Sequence, residues 1–200
     1  TVGTIDVEKN GSATKAYGIY NAKPNDSKGV NIYNAALIND RSNVLGQINM
    51  SAGRKVNEMY GIYSAKGTEE GQLKTVYNAS YNNVNDQGGN VGKVYGNINI
   101  KSTVGGSEQS NFYGIYVDDG VAYNAYTTNN NIDIKGTIAI EARGGSLGGE
   151  IVGMYGSGMN SKLYNTGQGS LISVKSTGIN SNTGLADAYG MKGIGSIMRN

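Results

Sequence analysis

The sequence predicts an all-β protein, a right-handed parallel β-helix (solenoid) with three strands per rung and long loops between them. Three observations predict it. Three short motifs recur in one unchanging order along 200 residues. Each motif alternates in hydropathy over a few residues and is rich in Ile, Val and Tyr, the signature of a half-buried strand. The intervals are crowded with Gly, Asn, Asp and Ser, which tolerate turns and positive φ. No interval carries a convincing amphipathic helix; the stretches Val56 to Met59 and Glu150 to Val152 are too short.

The first motif, Gly-x-Ile-x-apolar, runs from Gly3 to Val7, Gly46 to Met50, Gly96 to Ile100 and Gly136 to Ile140, with a degraded copy from Gly169 to Val174. The second, Tyr-Gly-Ile-Tyr, runs from Tyr17 to Tyr20, Tyr60 to Tyr63 and Tyr113 to Tyr116, with weaker copies at Tyr155-Gly156-Ser157 and Tyr189-Gly190-Met191. The third, apolar-Tyr-Asn, is Ile32-Tyr33-Asn34, Val76-Tyr77-Asn78, Ala122-Tyr123-Asn124 and Leu163-Tyr164-Asn165. Copies of the first motif start 43, 50, 40 and 33 residues apart, so the length variation falls in the loops. A prion-like polar sequence would not hold three motifs in phase.

Three strands per cycle with no helix between them place one strand on each of three faces, and successive cycles then stack as parallel strands. Residues 1–200 are read as a single domain of about four and a half rungs, roughly 20–25 Å tall at the usual strand spacing. A rival count, two smaller coils per cycle, needs extra strands at Leu37-Ile38-Asn39, Asn131 to Ile134 and Ile179-Asn180. These are less regular than the three motifs, so one coil is preferred.

One face of each strand should point into a shared narrow core. Ile5, Val7, Ile48, Met50, Ile98, Ile100, Ile138 and Ile140 are expected inside, as are Ile32, Val76, Ala122 and Leu163. Tyr33, Tyr77, Tyr123 and Tyr164 are then expected outside. Asn34, Asn78, Asn124 and Asn165 should return inward at a corner, where stacked amides can hydrogen-bond from rung to rung. Gly18, Gly61, Gly114, Gly156 and Gly190 recur between Tyr and an apolar residue. Glycine inside a strand weakens it, so a repeated one signals a bend or a close approach.

Composition bounds the chemistry. With no His and no Cys, the chain has no Ser-His-Asp or Cys-His triad, zinc site, iron–sulfur cluster or disulfide. Lys and Arg number 17 against 15 Asp and Glu, a balance that gives no electrostatic case for nucleic acid or an anionic membrane. No apolar run reaches the ~18 residues of a membrane-spanning helix, and no signal peptide opens the chain. Val, Ile, Leu and Phe make up only 20% of residues, the edge of disorder, but 15 Tyr add apolar bulk and the net charge is small.

A glycosidase needs two facing carboxylates. Asp118-Asp119, Glu69-Glu70 and Asp133 are the candidates, and the first two pairs read as solvated turns. A lyase base is sought among Arg41, Arg54 and Arg143, none with an acidic cluster in phase. Calcium is unsupported, because the Gly-Gly-x-Gly-x-Asp roll is absent and Asp86 to Gly89 is a lone acidic turn. Gly193-Ile194-Gly195 and Gly145 to Gly149 lack the Lys-Ser/Thr ending of a phosphate loop. The sequons at Asn10, Asn25, Asn49 and Asn78 occur at chance level in so Asn-rich a chain. The expectation is therefore no catalytic residue, no cofactor and no metal. Tyr33, Tyr77, Tyr123 and Tyr164 are the candidate ligand- or partner-binding surface, since Tyr offers broad contact and a hydroxyl tip. The competing reading is that they stack on one another and shield the strands.

The order Ile32-Tyr33-Asn34, then Gly46 to Met50, then Tyr60 to Tyr63 resembles the passenger regions of bacterial autotransporters. These repeat an Ile-x-Asn-x-Gly-x-Ile rung followed by a Gly-Ile-Tyr strand. The resemblance runs from Gly3 to Met191, although the Asn-to-Gly intervals are longer here and the last cycle is compressed. It implies a fragment of a longer passenger, exported through the outer membrane to the bacterial cell surface. It also implies adhesion or autoaggregation, with a host-cell or sister-cell surface protein or glycan as partner. The expected function is a non-enzymatic surface β-helix presenting loops and tyrosine columns. The alternatives are a polysaccharide-binding or polysaccharide-cleaving β-helix, and a filament subunit whose open strand edges at Gly3 and Met191 pair end to end.

Overall fold

A computed structural model describes residues 2–22, 30–37, 43–53, 56–67, 73–81, 92–103, 110–127, 133–143, 149–177 and 186–200. The first rung contains β1 (Val2–Lys9), β2 (Ala13–Asn21) and β3 (Asn31–Leu37). The second contains β4 (Val44–Ala52), β5 (Val56–Ser64) and β6 (Thr75–Tyr81). The third contains β7 (Lys93–Ser102), β8 (Asn111–Asp118) and β9 (Val121–Ala125). The fourth contains β10 (Asp133–Ala142), β11 (Glu150–Ser157) and β12 (Lys162–Asn165). The fifth contains β13 (Leu171–Ser176), β14 (Asp187–Gly193) and β15 (Ile197–Arg199).

Every third strand pairs in parallel, building three five-stranded sheets. Sheet one is β1-β4-β7-β10-β13, sheet two β2-β5-β8-β11-β14 and sheet three β3-β6-β9-β12-β15. The motifs lie in register: Gly3 faces Gly46, Ile5 faces Ile48, and both continue onto Gly96 and Ile98. The protein is a parallel β-helix with one coil per sequence cycle. The rival strands dissolve into this count. Leu37 ends β3, and Asp133 and Ile134 open β10. Residues 38, 39, 131, 132, 179 and 180 lie outside the described residues.

Five rungs stand where about four and a half were expected. The addition is β15, whose Lys162–Ile197 and Tyr164–Arg199 pairings extend sheet three. Its motif is Met198-Arg199-Asn200, with Arg in the tyrosine position, which hid the fifth copy.

The core is the shared interior. Ile48, Ile98 and Ile138 of sheet one meet Met59, Ile62, Phe112, Ile115, Ile151 and Met154 of sheet two and Val76, Ala122 and Leu163 of sheet three, all fully buried. Ile5 holds the same position in the first rung, where β1 pairs with β4 alone among the described strands, and is 37% exposed.

The fourth copy of the tyrosine motif is corrected by register. Val152 pairs with Tyr113 and Tyr155 with Tyr116, so the copy is Val152-Gly153-Met154-Tyr155 rather than Tyr155-Gly156-Ser157. Val152 replaces a tyrosine, which made Tyr155 look like the first member.

Candidate functional site

The exterior is organised from a polar spine outward. Asn34, Asn78, Asn124 and Asn165 lie at one corner, as expected, and Asn200 joins them. Each Nδ2 donates to the next rung's Oδ1: Asn34 to Asn78 and Asn78 to Asn124 at 2.9 Å, Asn124 to Asn165 and Asn165 to Asn200 at 2.7 Å. The second proton of each inner amide serves sheet-one carbonyls. Asn78 Nδ2 lies 2.8 Å from Gly96 O and 3.2 Å from Thr137 O, and Asn124 Nδ2 lies 2.8 Å from Gly136 O. Asn78 and Asn124 are completely buried, and a buried amide without such partners would be costly.

This spine explains the glycine that opens the sheet-one motif. A Cβ at Gly46, Gly96 or Gly136 would lie 2.1, 1.7 or 1.6 Å from the carbonyl oxygen of Asn34, Asn78 or Asn124. The corner backbone packs directly on these glycines, a contact that the sequence pattern did not disclose.

A second glycine row aims the tyrosines. In a regular strand Tyr60 and Tyr63, three residues apart, would face opposite sides. Both face outward, with ring centroids 5.1 Å apart, while Met59 and Ile62 face the core. Alternation slips at Gly61, where a Cβ would lie 2.4 Å from Ile98 Cγ2 and 2.5 Å from Gly114 O. Gly18, Gly114 and Gly153 repeat that geometry. The expected close approach is present in four rungs, with Gly153 in the fourth instead of Gly156, whereas at Gly190 in the fifth a Cβ would meet only Ile172 Cγ2 at 4.0 Å.

Three tyrosine columns result. On sheet three, Tyr33, Tyr77, Tyr123 and Tyr164 are half-buried and stack nearly parallel at 5.0, 5.2 and 4.9 Å. Tyr126, outside any motif, packs beside this column at 4.9 Å from Tyr123. On sheet two, Tyr17, Tyr60 and Tyr113 form one stack, and Tyr20, Tyr63, Tyr116 and Tyr155 form another edge-on to it. Burial is the main cause that raises the phenol pKa of Tyr17, Tyr60, Tyr63, Tyr77, Tyr113, Tyr116, Tyr123 and Tyr155. Tyr77 is pushed up to about 12, with Tyr33 and Tyr123 adding to the shift. Tyr60 and Tyr113 are raised further, and the Tyr60 hydroxyl also donates to Glu58 at 2.9 Å. Tyr60, Tyr77 and Tyr113 are therefore uncharged at neutral pH.

The outer face of sheet one differs. It forms an open groove of about 530 Å³ crossed by polar rows. Asn99 donates to Asn49 and Asn49 to Asp6, each at 2.9 Å, and Lys175 pairs with Glu141 at 2.9 Å beside Lys101.

Of the sequence-level carboxylate candidates, Asp119 sits in the β8–β9 turn with φ of 47°. It is ion-paired with Lys66, whose bonded ammonium holds the Asp119 carboxyl below its ordinary range, and it accepts from the Asn160 amide at 3.3 Å. That ties it to turn packing. Asp133 accepts the Tyr95 hydroxyl on the outside of sheet one. Glu69, Glu70, Arg41, Arg54, Asp86 to Gly89 and Asn25 lie outside the described residues, as does most of Gly145 to Gly149. Among the described residues, no group of three or more carboxylates converges as a metal site, and no helix is long and apolar enough to cross a membrane.

Fold and surface together define a class, a parallel β-helix with an asparagine spine and an aromatic exterior. Compared with known protein families, curated proteins and solved structures, the chain matches none of them.

Proposed function

We propose that this chain is a non-enzymatic structural and adhesive β-helix of a bacterial surface, working as a rigid segment that presents loops and tyrosine columns. The observation that carries this reading is the sheet-three column Tyr33-Tyr77-Tyr123-Tyr164. Its rings repeat once per rung on an outer face and are only half-buried. Neighbouring rings do stack, so part of each face serves packing, and the outward ring edges are the contact surface. Individually weak contacts repeated on a stiff support gain by multivalency. The partner is a host-cell or sister-cell surface protein or glycan, and the location is extracellular.

The test is the triple variant Tyr33→Ser, Tyr77→Ser and Tyr123→Ser. Binding to host or sister cells should fall while circular dichroism keeps its β signature. Undiminished adhesion by the folded variant would reduce the column to packing. A second reading, a polysaccharide-binding or polysaccharide-cleaving β-helix, is favoured by the open groove over sheet one, lined by side chains such as Asn49, Asn99, Glu141 and Lys175. A glycan panel separates the two: depolymerisation of any glycan by the purified protein would overturn the non-enzymatic proposal.

A further inference from the structure

The proposed contact column lies on sheet three, which leaves the larger aromatic field, on sheet two, without a role. There the tyrosines form a network rather than a row. Tyr63, Tyr116 and Tyr155 stack at 5.0 Å per step, with interplanar angles of 14° and 20°. Tyr60 and Tyr113 stack beside them at 5.1 Å. Edge-on contacts join the two columns: Tyr60 to Tyr63 at 5.1 Å, Tyr113 to Tyr116 at 5.4 Å and Tyr60 to Tyr116 at 5.6 Å. Strand register holds these rings together, since Tyr63 is the backbone partner of Tyr116 and Tyr116 of Tyr155.

Two further features point to oxidation chemistry. The first is a proton acceptor inside the network. The Tyr60 hydroxyl donates to Glu58 at 2.9 Å, and the same carboxylate pairs with Lys15 at 2.7 Å. A phenol gives up an electron more readily when its proton can leave along a hydrogen bond in the same step. The Glu58 side chain is 26% exposed, so it can pass that proton to water and stay paired with Lys15. The second feature is a division between shielded and reachable rings. Tyr60 and Tyr113 are only 5% and 8% exposed, whereas Tyr63, Tyr116 and Tyr155 are half-buried. The inner rings can relay an electron, and the outer rings have edges at which a bond can form.

We propose that the column Tyr63-Tyr116-Tyr155 is a site of oxidative modification, where a one-electron oxidant couples neighbouring tyrosines into dityrosine and staples successive rungs covalently. This rests on sheet-two geometry and is independent of the adhesive reading. Each of two phenols loses one electron to the oxidant and one proton to water, directly or, for Tyr60, through Glu58. A radical formed on Tyr60 moves outward when Tyr63 gives it an electron; Tyr60 then regains a proton and Tyr63 releases one. Two neighbouring radicals join by a carbon–carbon bond between positions ortho to the hydroxyls. The two ortho hydrogens move as protons, through water, to the oxygens and restore both phenols. Each link therefore consumes two equivalents of oxidant and removes two hydrogen atoms. Rings already held in contact react within the chain in preference to meeting another chain.

The test is brief photo-oxidation of the purified 200-residue chain with a ruthenium polypyridyl sensitiser and persulfate, followed by tryptic peptide mapping. Residues 56–66 hold Tyr60 and Tyr63, residues 102–135 hold Tyr116, and residues 144–162 hold Tyr155 as their one tyrosine. The chain should stay monomeric, gain dityrosine fluorescence and yield links from 56–66 to 102–135 and from 102–135 to 144–162. Tyr116→Phe keeps a stacking ring that cannot couple, and it should cut both links about tenfold. Tyr95→Phe, on sheet one, should leave them unchanged. Oxidation should also raise the melting temperature of the parent but not of Tyr116→Phe, because a tie between rungs constrains the unfolded chain. Circular dichroism confirms that each variant folds. Dityrosine formed only between chains, links equally abundant in concentrated urea, or links that survive Tyr116→Phe would each overturn the proposal.

Discussion

The first and third rungs carry the same sheet-one motif with opposite structural consequences. In the third, Ile98 is fully buried and a Cβ at Gly96 would sit 1.7 Å from a backbone oxygen. In the first, Ile5 is 37% exposed and a Cβ at Gly3 would meet nothing within 4 Å. The residues are equivalent in sequence, and the rungs beside them make the difference. In a stacked repeat each unit draws its stability from its neighbours, so the sheet-one glycine matters where an asparagine corner of the preceding rung packs on it, as Asn78 packs on Gly96.

The largest expected effect that probes this contrast is glycine substitution. Gly96→Ala should destabilise by ~4 kcal/mol or more, because its Cβ would push against backbone rather than a yielding side chain. Gly3→Ala should remain within about 0.5 kcal/mol of the parent. Paired thermal or denaturant melts measure both, and equal effects would break the comparison.

The spine gives a smaller version of the same contrast. Asn78→Ala leaves Asn34, Gly96 and Asn124 short of partners in a buried corner and should cost ~1–3 kcal/mol. Asn200→Ala removes one exposed bond to Asn165 and should change the melt by less than about 0.5 kcal/mol.

The mildest effect is alkaline. Phenols in the inner stacks have raised folded-state pKa values, chiefly through burial. The unfolded chain loses these protons near the ordinary value of 10.0, while folded Tyr77 keeps its own until about 12. In that window the unfolded state binds fewer protons, so stability falls as pH rises from about 10 toward 12 and is fully present below that range. Denaturant midpoints across this range check the sign, and a Tyr77→Phe variant should show a shallower decline.

Much of this was legible in the sequence because a solenoid writes its period into the chain. Motif order identified the three faces, and the spacing put Asn34, Asn78, Asn124 and Asn165 at one corner. What stayed hidden was contact between different motifs. Nothing in Gly-x-Ile-x-apolar says that its glycine lies under an asparagine carbonyl 12 residues upstream, as Gly46 lies under Asn34. Substituted copies hid the remainder: Val152 displaced the fourth tyrosine motif by three residues, and Arg199 concealed the fifth rung. The tyrosine column emerged as a geometry, while its partner rests on proposal because a half-buried aromatic row serves packing and recognition with the same atoms.

Hydrogen exchange of the backbone amides, read by mass spectrometry at a dilution where the chain is monomeric, addresses the central claim most directly. The account predicts slowest exchange in β7, β8 and β9, with protection falling outward to β1–β3 and β13–β15, since openings begin where neighbours are missing. Uniform protection across the fifteen described strands, or slowest exchange in the end rungs, would contradict a stack whose stability comes from its neighbouring rungs.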